Sequence, residues 1–274
     1  MKLRLFAAVA SVLSVVFLAS CGGSSGGAAA LLTINSTSEI ITFASGLDDL
    51  RGIAVDSNSN VYVANPSGGQ ISKITPAGTM TVFSLDSNVP YGIAVDSSDN
   101  VFVTELRGYN ISKIDSAGNL SAFATGFDYP GLLSIDSSKN LYIPNFDGVI
   151  KKVTPSGAVS TFTSALSGAL AGLAVDGNGN VYVCDNTSVL YKVTPTGIVS
   201  TITSSLTDPR GVAIDTSGNI YVTDAGGVAR VTPAGVKSTA VTLPSGYAYG
   251  VAFDANGNLF ISTIDGTVFK VVPN

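Results

Sequence analysis

Two kinds of short segment alternate along this chain. Residues 52–55 (Gly-Ile-Ala-Val) and 61–64 (Val-Tyr-Val-Ala) are apolar at successive positions, which marks strands covered on both faces. Residues 71–74 (Ile-Ser-Lys-Ile) and 80–83 (Met-Thr-Val-Phe) carry polar positions between apolar ones and read as outer, half-exposed strands. The unit recurs six times, anchored on Asp56, Asp96, Asp136, Asp176, Asp215 and Asp254, which are 40, 40, 40, 39 and 39 residues apart. Four positions after each acid stands Asn60, Asn100, Asn140, Asn180, Asn219 or Asn258, and two positions later an aromatic: Tyr62, Phe102, Tyr142, Tyr182, Tyr221 or Phe260.

A period near forty made of several short strands predicts propeller blades, because a helical solenoid would need long helix-forming stretches. The expected fold is all-β, a six-bladed propeller of four-stranded antiparallel blades over residues 31–274. Glycine just inside the first strand fits the crowding where six sheets converge. Each recurrent aromatic fills the widening gap between blades and buries apolar surface worth ~1.5 to 3 kcal/mol. The last repeat ends at Asn274 without an outer strand, while residues 39–43 (Glu-Ile-Ile-Thr-Phe) match one, so the N-terminal strand is expected to complete the sixth blade. That closure ties the chain ends together and leaves no open edge.

The first residues have a different character. Met1, Lys2, Leu3 and Arg4 precede an apolar run over residues 5–18, the charged and apolar regions of an export signal and too short to span a bilayer. The run stops at Leu18-Ala19-Ser20-Cys21, which resembles a bacterial lipobox. Residues 1–20 are thus expected to be a lipoprotein signal peptide and residues 21–30 a lipidated Cys21 with a flexible Gly/Ser linker. Such a protein is anchored to a cell-envelope membrane, facing periplasm or exterior, without crossing it. Loss of Lys2 and Arg4 takes 14 basic residues to 12, against 19 acidic, a formal charge of −7, and nucleic acid is not an expected partner. With Cys21 acylated, Cys184 has no disulfide partner and reads as a small buried hydrophobe.

Several recurrent motifs have structural readings. Asp-x-Asn-x-Asn, as at residues 56–60, 176–180 and 254–258, is the start of a calcium loop in composition only, since its sixth position is Val61, Val181 or Leu259, inside a strand. A tight hairpin turn, with Asp bonding backbone amides, is the expectation. Thr75-Pro76-Ala77-Gly78 and its counterparts suit turns between outer strands. The basic residues before those turns, Lys73, Lys113, Lys152, Lys192, Arg230 and Lys270, are expected to line a solvated outer strand and discourage edge pairing.

Together these repeats resemble the NHL-repeat propellers and the related streptogramin lyase and gluconolactonase-like propellers. In that group the loops into the inner strand and those after the second strand share one face, which holds the ligand site. Candidate residues on that face are those that differ between repeats. Five residues before each anchoring Asp stand Arg51, Tyr91, Gly131, Ala171, Arg210 and Tyr249, so blades five, six, one and two form a cationic and aromatic arc while blades three and four are open. Nine residues after each Asp come Asn65, Glu105, Asn145, Asp185, Asp224 and Thr263, expected as polar acceptors around the pocket. Arginine offers a planar fork to carboxylate or phosphate and tyrosine a face for stacking. The alternative is that Arg51 and Arg210 pair with Asp224, Glu105, Asp48 or Asp208 and only neutralise the face.

The lactonases of the group use a metal held by Glu, Asn and Asp, and the streptogramin lyases use His with a metal. This chain has no His, and the corresponding positions hold Arg51, Tyr91, Ala171 and Arg210. Cations there repel a metal. The expectation is therefore a membrane-anchored binding or scaffold protein, a monomer with no cofactor, whose partner is a small ligand or an envelope protein. A metal-dependent lactonase or lyase centred on Glu105, Asp185 and Asp224 is the alternative.

Overall fold

The computed structural model describes residues 33–86 and 88–274. The signal peptide, Cys21 and linker expected over residues 1–30 lie outside the described residues.

Six four-stranded sheets form blades around one axis. Blade one contains β2 (Ile53–Val55), β3 (Val61–Asn65), β4 (Gln70–Ile74) and β5 (Met80–Leu85), and blade two β6 (Pro90–Val95), β7 (Val101–Glu105), β8 (Asn110–Ile114) and β9 (Leu120–Thr125). Blade three is β10 (Ser134–Ile135), β11 (Leu141–Pro144), β12 (Ile150–Val153) and β13 (Val159–Thr163). Blade four is β14 (Leu170–Val175), β15 (Val181–Asp185), β16 (Leu190–Val193) and β17 (Val199–Thr203). Blade five is β18 (Val212–Ile214), β19 (Ile220–Asp224), β20 (Gly227–Val231) and β21 (Lys237–Thr242). Blade six runs β22 (Ala248–Phe253), β23 (Leu259–Thr263), β24 (Val268–Val272) and finally β1 (Glu39–Ala44), as the sequence predicts. β1 pairs antiparallel with β24, from Glu39 opposite Val272 to Ala44 opposite Val268.

The apolar pattern follows this geometry. The second strand of blades one, two, four and six is buried at every residue, being covered by sheets on both sides. Third strands are also largely buried, with Ile71 and Ile74 fully so, and exposure sets in at fourth strands such as β5 and β9. Six hydrophobic clusters occupy the six gaps between blades. Tyr62, for instance, packs with Ile93, Val101 and Ile114 of blade two, and Phe260 with Leu50, Ile53 and Ile74 of blade one. Tyr62, Phe102, Tyr142 and Phe260 each meet an outer-strand ring edge-on at 5.0–5.1 Å, namely Phe83, Phe123, Phe162 and Phe43. Phe43 comes from β1, so the closing strand supplies the same contact as an ordinary fourth strand.

The basic residues behave differently from the expectation of a solvated edge. They lie on third strands directly opposite the aromatics (Tyr62 with Lys73, Phe102 with Lys113, Phe260 with Lys270), and their ammonium groups sit over those rings at 5.1–6.0 Å. Lys152 and Lys192 do the same over Tyr142 and Tyr182, while Arg230 donates to Asn219 Oδ1 at 2.9 Å. Cross-strand register, not edge protection, places them.

The hairpin reading of the Asp turns holds. Asp56 Oδ1 accepts the amides of Asn58 and Asn60 at 2.9 and 2.8 Å, and Oδ2 accepts Asn60 Nδ2 at 2.8 Å and the Tyr62 hydroxyl at 3.2 Å. The carboxylates of Asp96, Asp136, Asp176, Asp215 and Asp254 repeat the amide bonds, so each is committed to its own hairpin turn. For Asp96 and Asp176, burial opposes ionisation, but the side-chain and backbone amides of Asn100 and Asn180 outweigh it and hold the carboxyl below its ordinary value.

Near the axis the blades touch through backbone. A methyl group on Gly52 would come 2.7 Å from the Tyr91 carbonyl oxygen, and one on Gly250 2.5 Å from that of Arg51, so the inner-strand glycines are required by close approach. Blade three departs by placing Leu132 there, whose amide donates to the Ala171 carbonyl at 2.9 Å.

Candidate functional site

The face that carries the loops into the inner strands draws Arg51, Tyr91, Arg210 and Tyr249 together. Asp49 and Asp208 take left-handed backbone (φ 54° and 48°), a conformation that Asp tolerates better than most residues. Each then pairs with the arginine two residues on, Asp49 with Arg51 and Asp208 with Arg210. The partner of Arg51 is thus Asp49 rather than Asp48, Asp224 or Glu105. Both guanidinium groups lie over the Tyr249 ring, with carbon-to-centroid distances of 4.3 and 6.0 Å. Tyr91 meets Tyr249 edge-on at 5.8 Å and their hydroxyls hydrogen-bond.

Burial raises the pKa of Tyr91, and the neighbouring Tyr249 phenol adds to the rise, so the hydroxyl stays protonated and can donate. Tyr247, which the sequence reading passed over, donates to the Asp208 carbonyl at 3.1 Å and to its carboxylate; burial and that carboxylate push it up to about 12. For Arg210, burial works against the charge, yet Tyr249, Asp208 and Tyr91 more than offset it. The cluster offers guanidinium and phenol donors to an anion or carbonyl and a ring face for stacking.

Of the acceptors expected nine residues after each anchoring Asp, all but the part-exposed Asp224 are buried, and all but Asn145 are engaged by neighbouring groups. Asn65 Oδ1 takes the Gly68 amide at 2.7 Å. Asp185 Oδ1 takes the amides of Thr187, Ser188 and Val189 at 2.8–3.0 Å, and these outweigh burial to hold its carboxyl below the ordinary value. Asp224 accepts from the Thr207 amide at 2.6 Å and pairs with Lys237. Glu105, Asn145 and Thr263 are wholly buried, with Ser112 donating to Glu105 and the Asn145 amide meeting no protein partner. Gly131 and Ala171 stay on the axis and contribute backbone, their carbonyls accepting from Thr104 and Leu132.

Small side chains on three second strands fasten blade to blade, a feature the sequence reading missed. Thr104 Oγ1 accepts the Gly92 amide at 2.7 Å and donates to the Gly131 carbonyl of blade three at 3.0 Å. Thr223 links Gly211 to Tyr249, and Ser262 links Gly250 to Arg51. In blade four the place belongs to Cys184, fully buried, its thiol pushed up to about 12 by desolvation and 3.5 Å from the carbonyls of Gly172 and Arg210. The inert reading of Cys184 agrees with this.

On the axis itself a cavity of about 30 Å³ remains, lined by residues including Ile53, Leu132 and Val251. A wider funnel of about 280 Å³ opens among Val55, Val95, Ile135, Val175, Ile214 and Phe253. Over blades two and three the loop face adds an exposed ring cluster, Tyr109 4.8 Å from Tyr129, itself 6.1 Å from Phe146.

Residues 25–271 match the model of the virginiamycin B lyase family. The chain belongs to that family. It is similar to a solved gluconolactonase from Xanthomonas campestris (15% identity, TM-score 0.77, covering 86% of this chain and 90% of that one). Two structures of virginiamycin B lyase from Staphylococcus aureus each give a TM-score of 0.65 over 81% of this chain and 80% of the lyase. One is the selenomethionine protein at 17% identity, the other a catalytically inactive histidine-to-alanine variant with quinupristin at 16%. At such identities the structural likeness shows the fold. No curated protein matches the chain.

The metal implied by the resemblance does not fit this mouth. Two guanidinium groups and two phenols occupy it, and among the described residues no group of three or more His, Cys, Asp or Glu side chains could hold an ion.

Proposed function

We propose that this family member is a binding protein, tethered to the cell envelope through Cys21, that takes a small anionic or aromatic ligand, or a protein partner carrying such a group, at Arg51, Tyr91, Arg210 and Tyr249. The observation that carries the reading is the stacking of both guanidinium groups on Tyr249 in a chain without histidine. The Staphylococcus lyase is catalytically inactive as its histidine-to-alanine variant, and that variant was solved with quinupristin, which supports binding without turnover on this scaffold. Exposed Tyr109, Tyr129 and Phe146 extend the same face with rings on which sugars or aromatic groups stack.

Thermal unfolding of the exported protein against uronic acids, short peptides and lactones tests the reading, because a ligand of the native state raises the midpoint. A rise with an anionic or aromatic ligand that disappears in the Arg51→Ala, Arg210→Ala double variant supports it. An unchanged response in that variant would remove the site. Membership of the lyase family favours a second reading, a lactone hydrolase or lyase. Turnover of a lactone or streptogramin dependent on a divalent metal would establish it instead.

A further inference from the structure

One to three positions after each outer strand a residue tucks under the loop face, and it is apolar in five blades: Leu47, Phe127, Leu166, Leu206 and Leu243. In blade one it is Asp86, equally placed, its amide bonded to Gly69 as Phe127 is to Tyr109, and only 1% exposed. Beside it stands Glu105, 0% exposed, where other blades carry Asn, Asp or Thr. Asp86 Oδ1 accepts the Asn88 amide at 2.9 Å and Glu105 Oε1 the Ser112 hydroxyl, yet Asp86 Oδ2 and Glu105 Oε2 meet no donor. Asn110 Oδ1 is a third buried oxygen without a donor, and it and Glu105 Oε2 (3.2 Å) both crowd the space that a methyl group on Gly108 would need. Among the described residues no lysine or arginine pairs with either acid.

In the orientation the Asn110 side chain takes, a proton shared between the two carboxyls serves two of these oxygens and leaves Asn110 Oδ1 without a donor. A hard divalent cation serves all three and matches both charges. The set contains only oxygen, without nitrogen or sulfur, which favours a hard ion such as calcium over zinc. We propose that Asp86, Glu105 and Asn110 form a calcium site that fastens blade one to blade two. The site shares no residue with the Arg and Tyr cluster.

Calcium titration of the metal-stripped full chain by calorimetry, paired with thermal unfolding, tests this. One calcium ion per chain and a raised midpoint are expected, with both effects lost in Asp86→Leu, which installs the residue that four other blades carry and so retains the fold. Glu105→Gln keeps the shape and removes one charge; its affinity should fall at least tenfold. The Arg51→Ala, Arg210→Ala variant should bind calcium as the parent does, so failure at the mouth and failure here are separable. No calcium bound by the parent chain, or equal binding by parent and Asp86→Leu, would overturn the proposal.

Discussion

On the turn face every blade repeats one device, an Asp whose oxygens take two backbone amides, backed by an Asn four residues on. On the loop face the corresponding positions run through Arg, Tyr, Gly, Ala, Arg and Tyr, and their contacts reach between blades. The first face is redundant and local, so its chemistry is spent on holding hairpins. The second is singular: Tyr249 serves two arginines from two other blades, and no equivalent exists across the ring. Repetition therefore separates what builds the ring from what the ring presents.

The sharpest way to break the comparison is at the axis, which both faces depend on. A side chain at Gly172 would overlap the Arg210 carbonyl of the next blade, so Gly172→Ala should cost more than about 4 kcal/mol, read as the urea midpoint or as loss of soluble protein. Thr104→Ala removes a clasp and strands the Gly92 amide, with an expected loss of about 1 to 3 kcal/mol in the same measurement. Acid should weaken the carboxylate turns. The carboxyls of Asp96 and Asp176 lie below their ordinary value when folded, so their stabilisation is complete above about pH 4 and drains away as pH falls through the folded values. Unfolding midpoints followed from about pH 5 down to pH 2 should show this, and Asp176→Asn should flatten part of the slope. The smallest effect on stability belongs to Arg51→Ala with Arg210→Ala, about 1 kcal/mol or less, since both arginines are partly solvated pairs. That variant should nevertheless abolish the ligand response.

The ring was legible because its marks recur at fixed offsets: an Asp, an Asn and an aromatic every forty residues leave little freedom in blade number or closure. The Arg and Tyr arc was legible for the opposite reason, as a break in the repeat five residues before each Asp. What escaped depends on contacts that no single offset reveals. Thr104, Thr223 and Ser262 look like ordinary small residues inside buried strands, and only the neighbouring blade shows that each has a carbonyl to reach. Lys73 sits eleven positions after Tyr62, an offset that becomes a cation over a ring only once the two strands pair. Asp86 stands 30 positions after Asp56, as Leu166 does after Asp136 and Leu206 after Asp176, so its offset was countable, but its place beside Glu105 shows only in the fold. Asp185 and Asp224 were picked by their offset of nine from the anchoring Asp, which does not show the backbone amides that bond one oxygen of each.

The closing strand also sets a direction. Thr33 and Asn35 lie against Asn274, whose amide donates to the Thr33 carbonyl at 3.2 Å, and the Tyr221 hydroxyl reaches the Ile34 carbonyl at 3.4 Å. Tyr221 is the counterpart of Tyr62, whose hydroxyl bonds the turn carboxylate, so the chain enters the ring from the turn face. The ring is thus latched on one face and presents its Arg and Tyr cluster on the other, so a change in the cluster leaves the latch untouched.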